Sequence, residues 1–260
     1  MIPQAYITAW RKYAPWQEDF QVEQDLVIER SLMAIFNDEY LKDRLAFRGG
    51  TALHKLYLSP AARYSEDIDL VQIKVEPFGP IIDKLRDVLS FLGDSPRRKQ
   101  KRHNNTLIYR FESEGGIPLR LKVEVNCREH HSIYGVQEVK HVVQSEWFTG
   151  DVLIPTYQLA ELLGTKMRAL YQRRKGRDLF DLWFAITRKN IDTGKILEAW
   201  NFYMREENHS VTQREYLENL GEKISNQDFL SDMEGLLRPD ISYEITHAYE
   251  FVKKELLEKI

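Results

Sequence analysis

Asp67 and Asp69 stand two residues apart in Ser65-Glu66-Asp67-Ile68-Asp69-Leu70, and the segment runs on as Val71-Gln72-Ile73-Lys74-Val75. Its β-branched residues and apolar alternation predict a strand, in which positions i and i+2 face the same side. Two carboxylates within about 5 Å of each other, at an effective dielectric of about 20, repel by on the order of 3 kcal/mol, which a cation relieves. Mg²⁺ (or Mn²⁺) suits such a pair, because it prefers oxygen ligands and completes its shell with substrate phosphates.

Upstream lies Gly49-Gly50-Thr51-Ala52-Leu53-His54-Lys55. Leu45-Ala46-Phe47 reads as a short apolar strand, the glycines as a tight turn, and Thr51 to Leu58 as a helix with Leu53, Leu56 and Tyr57 on one side. Glycines permit close backbone approach, and a helix N-terminus favours negative charge, so this turn can cradle phosphate. Lys55, about one turn in, would add a positive charge. Read alone, the glycine pair favours an ordinary strand-turn-helix with a solvated lysine; its neighbour Ser-x-Asp-x-Asp turns the balance to the phosphate reading.

The elements that position these residues are legible around them. Val22, Leu26, Ile28, Leu32, Met33 and Phe36 have helical spacing over Gln21 to Phe36, and Ile81, Ile82, Leu85, Val88, Leu89 and Leu92 do so over Pro77 to Leu92. Thr106 to Glu112 and Pro118 to Asn126 alternate around Glu114-Gly115-Gly116 and predict a hairpin, with a shorter edge strand over Val139 to Val143. In the Pro118 strand, Arg120, Lys122, Glu124 and Asn126 share the polar face; Glu124 is a third candidate carboxylate or part of a solvated edge. Beyond Pro155 the segments Tyr157 to Gln172, Asp178 to Thr187, Lys195 to Arg205, Thr212 to Ser225 and Tyr243 to Lys259 favour helix. The expected organisation is α+β: a mixed-sheet domain over residues 1–152 and a helical domain over 153–260.

Bulk properties narrow the class. A chain of 260 residues with 43% hydrophobic and 12% aromatic content can bury an ample core. Cys127 is the single cysteine, which excludes an internal disulfide framework and fits a reducing compartment. No apolar run approaches the roughly 18–20 residues of a membrane span, and the start lacks a signal-peptide pattern, so a cytoplasmic protein with no membrane partner is expected. With 37 basic against 40 acidic residues, net charge −3, attraction for nucleic acid must be local. Two basic concentrations qualify. Arg97-Arg98-Lys99-Gln100-Lys101-Arg102-His103 reads as a loop, either solvated or facing a polyanion, and Arg168, Arg173, Arg174, Lys175 and Arg177 form the second. In that second stretch Gly176 is expected to break the helix, Asp178 and Asp181 share a face, and Arg177 and Asp181 are spaced to pair. The histidines show no zinc-ligand spacing.

Four blocks together resemble the AbiEii/AbiGii-type toxin family, nucleotidyltransferase-like proteins of the DNA polymerase β superfamily. They are Gly49-Gly50-Thr51-Ala52-Leu53-His54-Lys55; Ser65-Glu66-Asp67-Ile68-Asp69; Lys166-Met167-Arg168-Ala169-Leu170 with Arg173 and Arg177-Asp178-Leu179-Phe180-Asp181; and, more weakly, Asp228-Phe229-Leu230-Ser231-Asp232. The spacing from Gly50 to Asp67 exceeds the usual gap, with Pro60-Ala61-Ala62-Arg63 as the extra loop.

The resemblance implies a polymerase β-type nucleotidyltransferase domain and a toxin of a toxin–antitoxin or abortive-infection system. Gly49, Gly50, Thr51, Lys55, Ser65 and Arg177 would bind the nucleotide of an NTP, and Asp67, Asp69 and Glu124 the metal. Lys166 would neutralise phosphate, and Asp178 would orient the acceptor or take its proton. It further implies an RNA acceptor, with the 3′ end of tRNA the leading candidate, and a cognate antitoxin that need not bind directly. Three readings compete: a nucleotide-binding regulatory module without transfer, an RNA-binding protein with structural carboxylates, and a metal-dependent nuclease. The Gly-Gly turn favours nucleotide phosphates over the nuclease reading.

Overall fold

Period-two alternation in the first part of the chain becomes one seven-stranded mixed sheet. The computed structural model describes residues 2–101 and 103–260, which divide into two units, Met1–Tyr157 and Gln158–Ile260. In the first, α1 (Gln4–Trp10), α2 (Asp19–Phe36) and α3 (Glu39–Lys42) precede β1 (Leu45–Arg48), α4 (Gly49–Ala52), β2 (Asp67–Gln72) and α5 (Gly79–Val88). Strands β3 (Arg97–Gln100), β4 (Asn104–Glu112), β5 (Pro118–Asn126), β6 (Val136–Gln144) and β7 (Thr149–Tyr157) complete it. Their spatial order is β3-β4-β5-β2-β1-β7-β6. β2 runs parallel to β5 and β1 parallel to β7, and the remaining pairs are antiparallel.

Ile68, Leu70, Leu107, Tyr109, Leu121, Val123 and Val125 are all buried on one face of β2, β4 and β5. Complete burial of each apolar side chain is worth about 1.5–3 kcal/mol, and a one-residue slip would exchange the two faces. The register is therefore strongly fixed, and it keeps Asp67 and Asp69 on the opposite, half-exposed side. Helix α2 packs against β5 and β7 and is covered nearly all round, so that it buries Glu23, Asp25 and Glu29 beside Leu26, Ile28 and Leu32. Buried carboxylates need partners, and Lys55 supplies the cation for two of them.

Three features differ from the sequence reading. The basic run is an edge strand, β3, paired with β4 through Arg97↔Ile108 and Lys99↔Thr106; Arg102 lies outside the described residues. The stretch around the expected 152/153 boundary, which holds Gly150 and Pro155, is strand β7, so the units divide between Tyr157 and Gln158. Pro155 is tolerated there because the ladder to β1 reduces to the pair Phe47↔Thr156. Finally, the helix after β1 opens at Gly49 itself and continues as a π-helical turn, Leu53–Tyr57.

The second unit is helical throughout: α6 (Leu159–Gln172), α7 (Gly176–Arg188), α8 (Thr193–Glu206), α9 (Gln213–Lys223), α10 (Gln227–Leu230) and α11 (Ile245–Glu255). Helices α6 and α8 cross closely at Gly164, where a Cβ would stand 2.6 Å from that of Ala199. Gly176 does not break a helix but begins α7, and a Cβ there would run into the Phe229 carbonyl. No helix among the described residues is long and apolar enough to cross a membrane.

Candidate active site

The turn from β1 into α4 needs glycine for two reasons. Gly49 has φ +81°, a left-handed conformation disfavoured by a Cβ, and a Cβ there would overlap the Asp69 carboxylate. The Asp69 side chain thus lies against the start of α4, where the first N–H groups have no intrahelical acceptor. Thr51 is buried, and its Oγ1 donates to the Asp67 carbonyl at 2.6 Å. It also lies 2.6 Å from Ser65 Oγ. With its one proton on the Asp67 carbonyl, Thr51 accepts from Ser65, and Ser65 then presents lone pairs rather than a donor to anything outside. This hydroxyl chain fastens α4 to the first residue of β2.

The parallel pairing of β2 with β5 sets Asp69 opposite Glu124 and Asp67 opposite Lys122. Asp67, Asp69 and Glu124 therefore occupy one face and are each half-exposed. Lys122 Nζ is 3.1 Å from Asp67 Oδ2, while Glu124 accepts from Asn104 Nδ2 at 2.7 Å and Thr106 Oγ1 at 3.3 Å. Oxygen-only donors beside a glycine cradle suit Mg²⁺ or Mn²⁺ in kind. Among the described residues, however, no three His, Cys, Asp or Glu side chains are gathered tightly enough to hold an ion. Part of the repulsion between Asp67 and Asp69 is relieved instead by Lys122, to which sequence reading gave no role.

Lys55, expected to add a positive charge beside the phosphates, is engaged by two carboxylates of α2. Its Nζ lies 2.7 Å from Glu29 Oε1 and 3.0 Å from Asp25 Oδ2, with all three side chains buried. Burial alone would lower the Lys55 ammonium, but Asp25 and Glu29 outweigh it and raise it above its usual range. Burial would likewise raise Glu29, yet Lys55 and a hydrogen bond from His141 hold it down to about 2. Asp25 and Glu29, four apart in an apolar helix, are a sequence signal that a cation must meet them. Nothing local names Lys55 as that cation. Arg48, directly opposite Asp69 on β1, pairs with Glu129.

In the helical unit, Lys166 and Asp178 come together at 3.0 Å, and Lys166 also meets Asp181 at 2.9 Å. Arg173 grips Asp178 with two bonds, of 2.6 and 2.8 Å. Burial would raise the Asp178 carboxyl, but Lys166 and Arg173 hold it below the usual carboxylate range. An ionised, fully buried carboxylate with both oxygens engaged is a poor proton acceptor, and this arrangement suits anchoring of the half-exposed Arg173 better than base catalysis. Arg177 meets Asp232 rather than Asp181: the backbone N–H of Arg177 donates to Asp232 Oδ2 at 3.1 Å, and Lys175 pairs with the same carboxylate. Asp232 thereby covers the start of α7.

The seven-stranded mixed sheet followed by helices matches the fold of solved nucleotidyltransferase toxins. MenT4, a nucleotidyltransferase toxin from Mycobacterium tuberculosis H37Rv, superposes with a TM-score of 0.65 over 100% of this chain and 91% of its own, at 17% identity. JHP933 from Helicobacter pylori gives 0.54 over 93% of this chain and 95% of its own, at 15% identity. No curated protein matches the sequence. The family model for the nucleotidyl transferase AbiEii toxin of type IV toxin–antitoxin systems matches residues 30–252. The chain belongs to that family and is a nucleotidyltransferase toxin of a type IV toxin–antitoxin system.

Proposed function

We propose that the protein transfers a nucleotide from an NTP to a hydroxyl of an RNA acceptor, with the 3′ end of tRNA the leading candidate. The observation that carries this reading is the placement of half-exposed Asp67, Asp69 and Glu124 on one sheet face, with Asp69 against Gly49 at the start of α4. The acceptor hydroxyl gives up its proton to solvent and its oxygen bonds to the α-phosphorus, while pyrophosphate leaves with the electron pair of the broken P–O bond. Gly49, Gly50 and Thr51 offer backbone N–H groups to the phosphates, and Ser65, as an acceptor, orients a donor or ligand beside them. Asp67 and Asp69, with Glu124, would hold Mg²⁺ or Mn²⁺, which supplies electrostatic stabilisation of the developing phosphate charge. Lys55 fixes the helix behind the turn. Lys166, Asp178 and Arg177 act through the charge they organise, above all the display of Arg173. The antitoxin of a type IV pair need not touch the toxin.

Incubating the protein with each labelled NTP, Mg²⁺ or Mn²⁺, and total RNA tests the reading. Labelled RNA is expected with at least one NTP, and Asp69→Asn should reduce it by about a hundredfold, the scale seen when one preorganised electrostatic group is removed. The pairing of Asp67 with Lys122 favours one alternative, a regulatory module that binds nucleotide without transferring it. Saturable nucleotide binding with no labelled product under any condition would select that alternative.

A further inference from the structure

The open face of the sheet holds a set of cations that no carboxylate neutralises. Register partners share a face, and one row runs Lys99, Thr106, Glu124, Asp69 across β3, β4, β5 and β2. The next runs Arg97, Ile108, Lys122, Asp67. Beyond it on β4 and β5, Arg110 stands directly opposite Arg120. Arg97, Lys99, Arg110 and Arg120 therefore lie on the same face as Asp67, Asp69 and Glu124, and all four are exposed. Among the described residues none of the four has an ion-pair or side-chain hydrogen-bond partner.

The contrast with the other basic stretch is informative. There, Arg174 apart, the cations are paired: Arg168 with Glu207, Arg173 with Asp178, and Lys175 and Arg177 with Asp232. Like charges placed directly across a sheet are destabilising, and an external anion would relieve the Arg110–Arg120 pair. Arg98, between Arg97 and Lys99, points to the other face, where it donates to Asn105 at 2.9 Å.

We infer that the single-stranded end of the acceptor RNA lies across β3, β4 and β5, with its phosphates on Arg97, Lys99, Arg110 and Arg120 and its terminal hydroxyl directed toward Asp67 and Asp69. The inference rests on the proposed transfer to RNA. From β3 to β2 there are three interstrand steps of about 4.8 Å, roughly 14 Å in all, a span of a few nucleotides. Exposed cations without stacked aromatic rings read charge and not base identity, so this face positions the strand and leaves sequence choice to other contacts.

The test uses the full chain, a fluorescently labelled single-stranded RNA and a salt titration. Replacing Arg97, Lys99, Arg110 and Arg120 together with serine should flatten the dependence of log K on log salt by about 0.7 for each phosphate that is no longer neutralised. NTP binding should stay unchanged. Arg98→Ser should alter neither, and a variant with lysine at the three arginine positions should retain the slope. An unaltered slope in the serine variant overturns the track, as does an equal effect from Arg98→Ser. The two failures are distinguishable: if the wild type still labels RNA, the transfer reading stands without this surface, whereas a wild type that neither binds nor labels RNA removes both. Wild-type binding of an acidic peptide in preference to RNA would also overturn the inference.

Discussion

Asp67 on β2 and Lys122 on β5 are register partners in a parallel pair, and the ammonium stands 3.1 Å from the carboxylate. A cation arriving at the aspartates must compete with that ammonium. Lys122→Met should therefore tighten Mn²⁺ binding. The pair is partly exposed, and such contacts are worth about 0.2–1 kcal/mol, so the dissociation constant should fall by up to about fivefold. Calorimetric titration of wild type and variant measures this; equal or weaker binding by the variant would show that Lys122 does not compete with the ion.

Gly49→Ala combines backbone strain with a collision. At φ +81° a left-handed conformation costs about 1–2 kcal/mol for a residue with a Cβ, and the methyl meets the Asp69 carboxylate. Urea unfolding should show at least that loss, and any transfer activity should fall further than stability predicts. A variant of wild-type stability would mean that the turn relaxes freely.

Glu29 gives an acid-sensitive contribution. Its carboxyl is held at about 2, against an ordinary value of 4.5. The stabilisation is fully present above pH 4.5 and disappears as pH falls through 2. Glu29→Gln should be less stable at neutral pH and should lose stability less steeply between those two values. Parallel stability curves for the two proteins across that window would contradict the assignment.

Asp178 anchors the helical unit. With Lys166 and Arg173 both bound to it and its side chain fully buried, Asp178→Asn should destabilise the protein, but because Lys166 keeps Asp181 and Arg173 reaches solvent the loss should stay below the roughly 3–5 kcal/mol of a buried charge left with no partner. In a double-mutant cycle, Lys166→Met and Asp178→Asn should be strongly non-additive. Additive losses would show that the two groups do not act as a pair.

Much of this was readable in the chain because it is local. The alternation around Asp67 and Asp69, the helix of Gln21 to Phe36 and the helices of the second unit each depend on neighbouring residues. Strand β3 was not readable, since Arg97–Gln100 holds no apolar residue and is a strand only through its pairing with β4. Strand β7 was hidden by Gly150 and Pro155, which usually mark a linker. The partners of Asp67 and Lys55 were also out of reach: Lys122 lies 55 residues from Asp67 and joins it only through the parallel pairing of β2 with β5, and Glu29 lies 26 residues from Lys55. The facing of the basic run had the same limit, because Arg97 and Arg98 look alike until a register assigns them to opposite sides.

Asp232 has an effect beyond the pairing of charges. A helix opening on Gly176 with lysine and arginine at its lip has the makings of a phosphate seat, yet the chain fills it with its own carboxylate from 55 residues downstream. The C-terminal stretch thus behaves as a tethered competitor, always present at high local concentration. Asp232→Asn would leave that lysine and arginine at the lip of α7 without the carboxylate that now faces them.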